Sequence, residues 1–252
     1  MHFTDAIVRA PANTAAGLTT SSLGKPDEEK AAQQFATYCA LLRQLGLVVH
    51  ALPALDGFPD AHFVEDTAVV MPECAVITHP GAASRRGEVH SVAEKMAQFR
   101  RLYYLGEDAH MDGGDVLMVD KQFFIGLTNR TDEAGIRQFA SIVEQYGYRV
   151  TSIEVAAGLH LKSIVNYLGK NTLSVNADGA SHPAFAQFEK IVLDPAEEYA
   201  GNSLWINDQL IMPNGYSNTL RQLQALNLPI HLIDTSEFRK MDGGLTCLSL
   251  RF

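Results

Sequence analysis

Five short polar-then-apolar stretches recur along the chain at nearly constant spacing, and this recurrence limits the possible folds more than any other feature. They are "FVEDTAVVM" around Asp66, "MDGGDVLMV" around Asp112, "LHLKSIVNYL" around His160, "GNSLWINDQLIM" around Asn202 and "MDGGLTCLSL" around Cys247, with anchors 46, 48, 42 and 45 residues apart. A period of roughly 20–50 residues marks an array or propeller, in which each unit buries its apolar face against the next. After Asp66 come the strand-like runs "TAVVM" (67–71) and "CAVIT" (74–78), the helical stretch "GEVHSVAEKMAQF" (87–99) and "LYYLG" (102–106). The same order of strand, strand, helix and strand follows Asp112, with a helix over 131–147 and a last strand at 149–155. In the next two units "HPAFAQF" (182–188) and "SNTLRQLQAL" (217–226) read as the helices.

One further unit is split between the two ends of the chain. "AIVRAP" (6–11), a helix over 27–45 and "LVVHAL" (47–52) lack one strand, which "CLSLRF" (247–252) can supply. A terminal strand paired in this way closes a ring and is held rather than frayed. The expectation is an α/β fold, one domain over 1–252, with the anchors gathered at the centre.

Composition narrows the partners. The net charge is −9, and no Lys/Arg cluster exceeds "SRRGE" (84–88), which argues against a nucleic-acid surface. No run of about 20 apolar residues is present, and the opening "MHFTDAIVRAPANT" lacks the apolar core of a secretory signal, so a cytoplasmic protein without membrane contact is expected. The three cysteines, Cys39, Cys74 and Cys247, suit neither a disulfide framework nor a zinc site. Cys39 follows the helical spacing of Phe35 and Leu42, and Cys74 opens a strand at a hairpin, so both read as packing. A structural reading of Cys247 weakens because "DGG" precedes it, and paired glycines allow a ligand close to the backbone.

If the anchors converge, Cys247 brings a nucleophile, His160 a proton shuttle, and Asp66 and Asp112 carboxylates that can hold a cation or orient the imidazole. Taken alone, His160 between two leucines fits a core histidine, and Asp112 before glycine fits a turn. "FPDAHFVEDT" (58–67) concentrates Asp60, Glu65 and Asp66, a set suited to a guanidinium or ammonium group.

At these residues the sequence resembles the dimethylarginine dimethylaminohydrolases, members of the guanidine-modifying pentein superfamily. The resemblance runs through "GLTTSSLGKPD" (17–27), "FPDAHFVEDT", "PGAASRRGE" (80–88), "MDGGDVLMV", "FFIGLTNRT", "LHLKS", "NDQLIMPNGY" and "DTSEFRKMDGGLTCLSLRF". It implies a five-bladed pentein propeller of ββαβ units around a central active site, in agreement with the repeat. It further implies Cys247 as nucleophile, His160 as acid and base, and Asp112 as the partner that orients His160. Asp66 would bind the guanidinium nitrogens with help from Glu65, while Asp60 and the backbone of Leu18 would receive the α-amino group. Arg85 and Arg130 would grip the α-carboxylate, and Met241 would line the substrate. Some bacterial relatives carry glutamate where Asp112 stands, so the histidine's partner here is one methylene shorter.

The implied reaction converts methylated arginine to citrulline and a methylamine through a covalent thiouronium on Cys247, with no metal or organic cofactor. The implied partner is this small molecule, and a homodimer is compatible with the family. The segment 13–27, rich in glycine, serine and threonine, reads as a lid. Two other readings stay open: a hydrolase of the same fold acting on arginine or another guanidine or ureido compound, and a catalytically silent amino-acid-binding domain.

Overall fold

A computed structural model describes residues 2–18, 22–155 and 159–252. The chain opens with β1 (Asp5–Arg9), α1 (Glu28–Gln44) and β2 (Val48–Leu52). Next come β3 (Ala68–Val70), β4 (Cys74–Ile77), α2 (Val89–Met96) and β5 (Arg101–Tyr104), followed by β6 (Val116–Val119), β7 (Gln122–Leu127), α3 (Glu133–Val143) and β8 (Arg149–Glu154). The fourth unit holds β9 (Val165–Tyr167), β10 (Thr172–Val175), α4 (Ala177–Ser181) and β11 (Glu189–Val192). The fifth holds β12 (Leu204–Ile206), β13 (Gln209–Pro213), α5 (Ser217–Gln224) and β14 (Ile230–Ile233), after which α6 (Ser236–Lys240) leads to β15 (Leu250–Arg251).

Among the described residues these strands form five three-stranded sheets, one per unit. Within each sheet the first two strands are antiparallel and the second and third are parallel. A parallel pair needs a crossover of about a dozen residues or more, and a helix supplies it in each unit. The split unit closes as the spacing predicts, with β15 antiparallel to β1 and Ala6 opposite Arg251. The Phe252 carbonyl accepts from Thr4 N and Asp5 N at 2.9 Å each, which extends the joint beyond the ladder. The mixed α/β ring of five small sheets is the expected pentein architecture.

The helix starts follow their caps. Asp27 accepts from Lys30 N at 2.8 Å to begin α1, and Asp132 accepts from Gly135 N at 2.7 Å to begin α3. Cys39 on α1 and Cys74 on β4 are buried among apolar neighbours, the packing roles expected of them. No helix is long and apolar enough to cross a membrane among the described residues.

Two expectations about elements need correction. The fourth unit's helix is α4, upstream of "HPAFAQF", because Asn176 accepts from Gly179 N and starts the helix there. His182 precedes a proline and is extended (φ −69°, ψ 125°), so the helix stops and only one 3-10 turn, Pro183–Phe185, follows. The terminal strand is also shorter than "CLSLRF": only Leu250–Arg251 pairs, and Cys247 sits on a 3-10 turn before it.

Candidate active site

All five anchors occupy equivalent places, on or beside a short 3-10 turn that leads into the first strand of a unit. Asp66 lies within Val64–Thr67, Asp112 precedes Gly113–Asp115 and His160 precedes Leu161–Ser163. Asn202 follows Pro195–Gly201, and Cys247 lies within Thr246–Leu248. The local fold needs glycine at 114, since a Cβ there would stand 2.7 Å from His160 Nδ1 and 2.9 Å from Asp66 Oδ1. The "MDGG" run thus lets three anchors crowd together.

His160 Nε2 lies 3.0 Å from Asp112 Oδ2 and 3.9 Å from Asp66 Oδ1. Asp112 is fully buried and is fixed in turn, accepting from Gly81 N at 3.0 Å through its other oxygen. Burial alone would depress the His160 imidazole, but the charge of Asp66, the hydrogen bond to Asp112 and the charge of Asp115 raise it to about 9. The ring is therefore an imidazolium at neutral pH. Burial would raise the Asp66 carboxyl, yet His160 and Arg85 beside it hold it below the usual range. Arg85 Nη1 donates to Asp66 Oδ2 at 2.5 Å, and Gly114 N donates to Oδ1 at 2.9 Å.

Cys247 is half-buried, and its Sγ accepts from Gly244 N at 3.4 Å. Burial, reinforced by the charges of Glu65 and Asp66, pushes its thiol up to about 12. The Cys247 thiol and the His160 imidazole both rest protonated. Glu65 is fastened by three neighbours: Lys162 Nζ at 2.7 Å, Thr246 Oγ1 at 2.8 Å and Arg251 Nη2 at 3.5 Å.

Two cavities meet at His160, Asp242, Gly243 and Cys247. The larger, about 360 Å³, is also lined by Glu65, Gly114, Tyr199 and Asn202. The narrower, about 30 Å³, runs past Asp66 and is lined by Leu18, Asp60, Arg85, Arg130 and Met241. Here Asp60 Oδ2 accepts from Leu18 N at 2.9 Å. A third cavity of about 200 Å³, floored by Glu65 and Lys162, is walled by the first strands of the five units. Neither a cysteine nor a histidine lines it among the described residues. Asp66, Asp112 and His160 bring donor atoms within 4.8 Å of one another, a set with the elements of a divalent-metal site. Arg85 already occupies one oxygen of Asp66, and Gly81 N occupies one of Asp112, so the cluster is organised around cationic and N–H donors.

A family model described as "N,N dimethylarginine dimethylhydrolase, eukaryotic" matches residues 13–185. A protein of Pseudomonas aeruginosa named N(G),N(G)-dimethylarginine dimethylaminohydrolase is 38% identical over 99% of this chain and 100% of its own. The chain belongs to the dimethylarginine dimethylaminohydrolase family. A Streptomyces coelicolor protein of the same name is 34% identical over 98% of this chain and 96% of its own. The crystal structure of the Pseudomonas aeruginosa enzyme, as a cysteine-to-serine mutant complexed with citrulline, superposes with a TM-score of 0.98 over the whole of both chains, at 38% identity. The N-terminal domain of ArgZ, a cyanobacterial arginine dihydrolase, matches with a TM-score of 0.87 at 17% identity over 98% of this chain and 97% of its own, a likeness of fold.

Within this family frame nine of the ten residues singled out in the sequence line the two joined cavities and the tenth, Asp112, is buried against His160, but the structure uses two of them in unexpected ways. Arg85 is buried, and each nitrogen of its guanidinium already donates: Nε to Glu88, Nη1 to Asp66, and Nη2 to Glu88 and the carbonyls of Asp60 and Phe63. Arg130, in contrast, has no partner for its guanidinium among the described residues. Glu65 faces the larger cavity with both oxygens engaged by the protein.

Sequence reasoning missed Asp115, Lys162 and Glu88. Asp115 is fully buried and accepts from Leu161 N at 2.8 Å, Thr131 Oγ1 at 2.6 Å and Thr128 Oγ1 at 2.7 Å, which fixes the turn behind His160. Its signal was an acid repeated two residues past "DG" in "MDGGD". Lys162 and Glu88 left no comparable pattern, because each pairs across the fold or along a turn. Of the expected lid, 13–27, residues 19–21 lie outside the described residues; Ser22 and Leu23 line the larger cavity.

Proposed function

We propose that the chain hydrolyses Nω-methylated L-arginine to L-citrulline and a methylamine. The observation that carries this reading is a cysteine thiol opening on the same cavities as a His160–Asp112 pair and a buried carboxylate, Asp66. The relatives' names and the citrulline complex of the Pseudomonas aeruginosa enzyme support it.

In this reading the narrow cavity takes the amino-acid end. Asp60 and the Leu18 backbone receive the α-ammonium, Arg130 supplies the unpaired guanidinium for the α-carboxylate, and Met241 packs the chain between them. Arg85 joins Arg130 by releasing its bond to the Asp60 or Phe63 carbonyl. The substrate guanidinium lies against Asp66, with the charge of Glu65 in support. Its positive charge favours the Cys247 thiolate, and the thiol proton leaves to solvent.

Sγ then attacks the guanidinium carbon, and the His160 imidazolium gives its proton to the departing amine, which leaves a thiouronium. His160, now neutral, takes a proton from water as the water attacks. Collapse breaks the C–S bond, the hydroxyl proton passes to the departing Cys247 sulfur as the carbonyl forms, and citrulline is released. Asp112 keeps the imidazole oriented and stabilises its charged form throughout. The reaction draws on protein groups and water alone, and the three free cysteines suit a reducing, cytoplasmic setting.

Product analysis tests the reading. Purified protein is given asymmetric dimethylarginine, monomethylarginine and arginine in parallel, with Cys247→Ser as control. Citrulline with dimethylamine, absent in the variant, is the expected result. Ammonia from arginine with no turnover of methylated substrates would move the protein to the deiminase reading.

A further inference from the structure

The fourth anchor, Asn202, has no part in the chemistry above, although it occupies the same place in its unit as Asp66, Asp112, His160 and Cys247 in theirs. Its amide is spent on the residue next to the nucleophile. Oδ1 accepts from Thr246 N at 2.9 Å, and Nδ2 donates to Thr246 Oγ1 at 3.2 Å. That hydroxyl in turn donates to Glu65 Oε2 at 2.8 Å, so Asn202, Thr246 and Glu65 form one chain of hydrogen bonds.

The same amide also presses on the backbone two residues earlier. A Cβ on residue 244 would lie 2.3 Å from Asn202 Cγ and 2.5 Å from its Oδ1, so the second glycine of "DGG" is required by Asn202. Gly244 in turn supplies the N–H that reaches Cys247 Sγ, and its carbonyl accepts from Cys247 N at 3.2 Å. One turn away, the Tyr199 hydroxyl donates to the Gly243 carbonyl at 3.0 Å. The Pro195–Gly201 turn and its cap thus grip the cysteine loop at Gly243, Gly244 and Thr246.

We infer that Asn202 is a positioning residue for Cys247: its amide fixes the Gly244–Cys247 turn and aims the Gly244 N–H at the sulfur. The inference rests on Cys247 being the nucleophile of the proposed reaction. An amide suits this place better than the acid or imidazole at the other anchors. It presents a donor and an acceptor together, as Thr246 demands, and adds no charge to a cavity where Glu65 and Asp66 already oppose formation of the thiolate.

The experiment compares wild type, Asn202→Ala and Asn202→Asp in two readouts. One is kcat and KM for asymmetric dimethylarginine; the other is the pH dependence of Cys247 alkylation by iodoacetamide, with adducts located by mass spectrometry. Asn202→Ala is expected to lower kcat by about 10²-fold, the scale of a displacement of roughly an ångström, with KM within about threefold of wild type. Its alkylation profile moves to higher pH because the Gly244 N–H no longer serves the thiolate. Asn202→Asp keeps the acceptor for Thr246 N but adds a carboxylate, so its profile moves further in the same direction. Circular dichroism and thermal unfolding select the variants that fold; if Asn202→Ala does not, Asn202→Asp carries the test. An unmoved profile in a folded variant, or a kcat within about twofold of wild type for Asn202→Ala, would overturn the inference. If wild type turns over no methylated arginine, the substrate reading fails, while alkylation still decides the role of Asn202.

Discussion

Burial, helped by Glu65 and Asp66, raises the Cys247 thiol, and Asp66 raises the His160 imidazole against its burial, so the same negative field favours the protonated form of both. A cation entering that field changes the thiol most, because it cancels the charges that oppose ionisation. Alkylation of the ligand-free protein by iodoacetamide should accordingly be slow at pH 7 and rise about tenfold per pH unit through pH 9, as expected for a thiolate in small but growing fraction. A rate already flat at pH 7 would mean that the thiolate is formed before substrate arrives. His160 carries a second consequence. Its folded value near 9 exceeds the unfolded 6.5, so the stability it contributes is complete below about 6.5 and is lost as pH rises to about 9. Urea unfolding of wild type should lose stability across that window at a slope approaching about 1.4 kcal/mol per pH unit, and His160→Gln should flatten it. Removal of the charge from Asp112 leaves the imidazole a weaker and differently oriented partner. Asp112→Asn should lower kcat by about 10²–10⁴-fold with little change in fold, read by kinetics and circular dichroism together.

At the scale of elements, the joint between α1 and the last strand is the most exacting contact. The Tyr38 hydroxyl, buried on α1, lies 2.6 Å from Ser249 Oγ and 3.2 Å from the Leu245 carbonyl. It ties the helix of the split unit to the turn that carries Cys247, on both sides of that residue. Tyr38→Phe should cost about 1 kcal/mol in urea unfolding, since it removes the buried bonds to Ser249 and Leu245 while Ser249 Oγ keeps Arg251 Nη1 at 2.8 Å. The units themselves were legible in the sequence because every unit is of similar length and places its polar anchor at the same point, which makes the spacing visible. The 3-10 turns that hold the anchors were not legible, since a single turn of three or four residues has no apolar period. The shift from "HPAFAQF" to α4 came from an asparagine cap that outweighed apolar patterning. Cys247 was found, but not its turn, because the alternation of "CLSLRF" mimics a full strand.

For the whole molecule, closure of the ring brings side chains from all five units to one axis. The trio proposed for the chemistry, Cys247, His160 and Asp112, stood out in the sequence by residue type at the anchors. The couplings between them were not: Arg85 with Asp66 and Glu88, or Lys162 with Glu65, join residues 3 to 97 positions apart with no repeating interval. The net charge of −9 and the acidic centre form an attractive field for a cation. Raising ionic strength from about 0.01 M to about 0.15 M shortens the Debye length from about 30 Å to about 8 Å. The kcat/KM for dimethylarginine should fall over that range while kcat stays constant; an unchanged kcat/KM would show that steering contributes nothing. The resting state of Cys247 reaches beyond turnover. Peroxide and similar oxidants consume thiolates far faster than thiols, so a Cys247 thiol kept protonated until a guanidinium arrives is spared sulfenic acid formation while the enzyme is idle. Vulnerability to oxidation is confined to the moments of catalysis, when the substrate itself stands in the way.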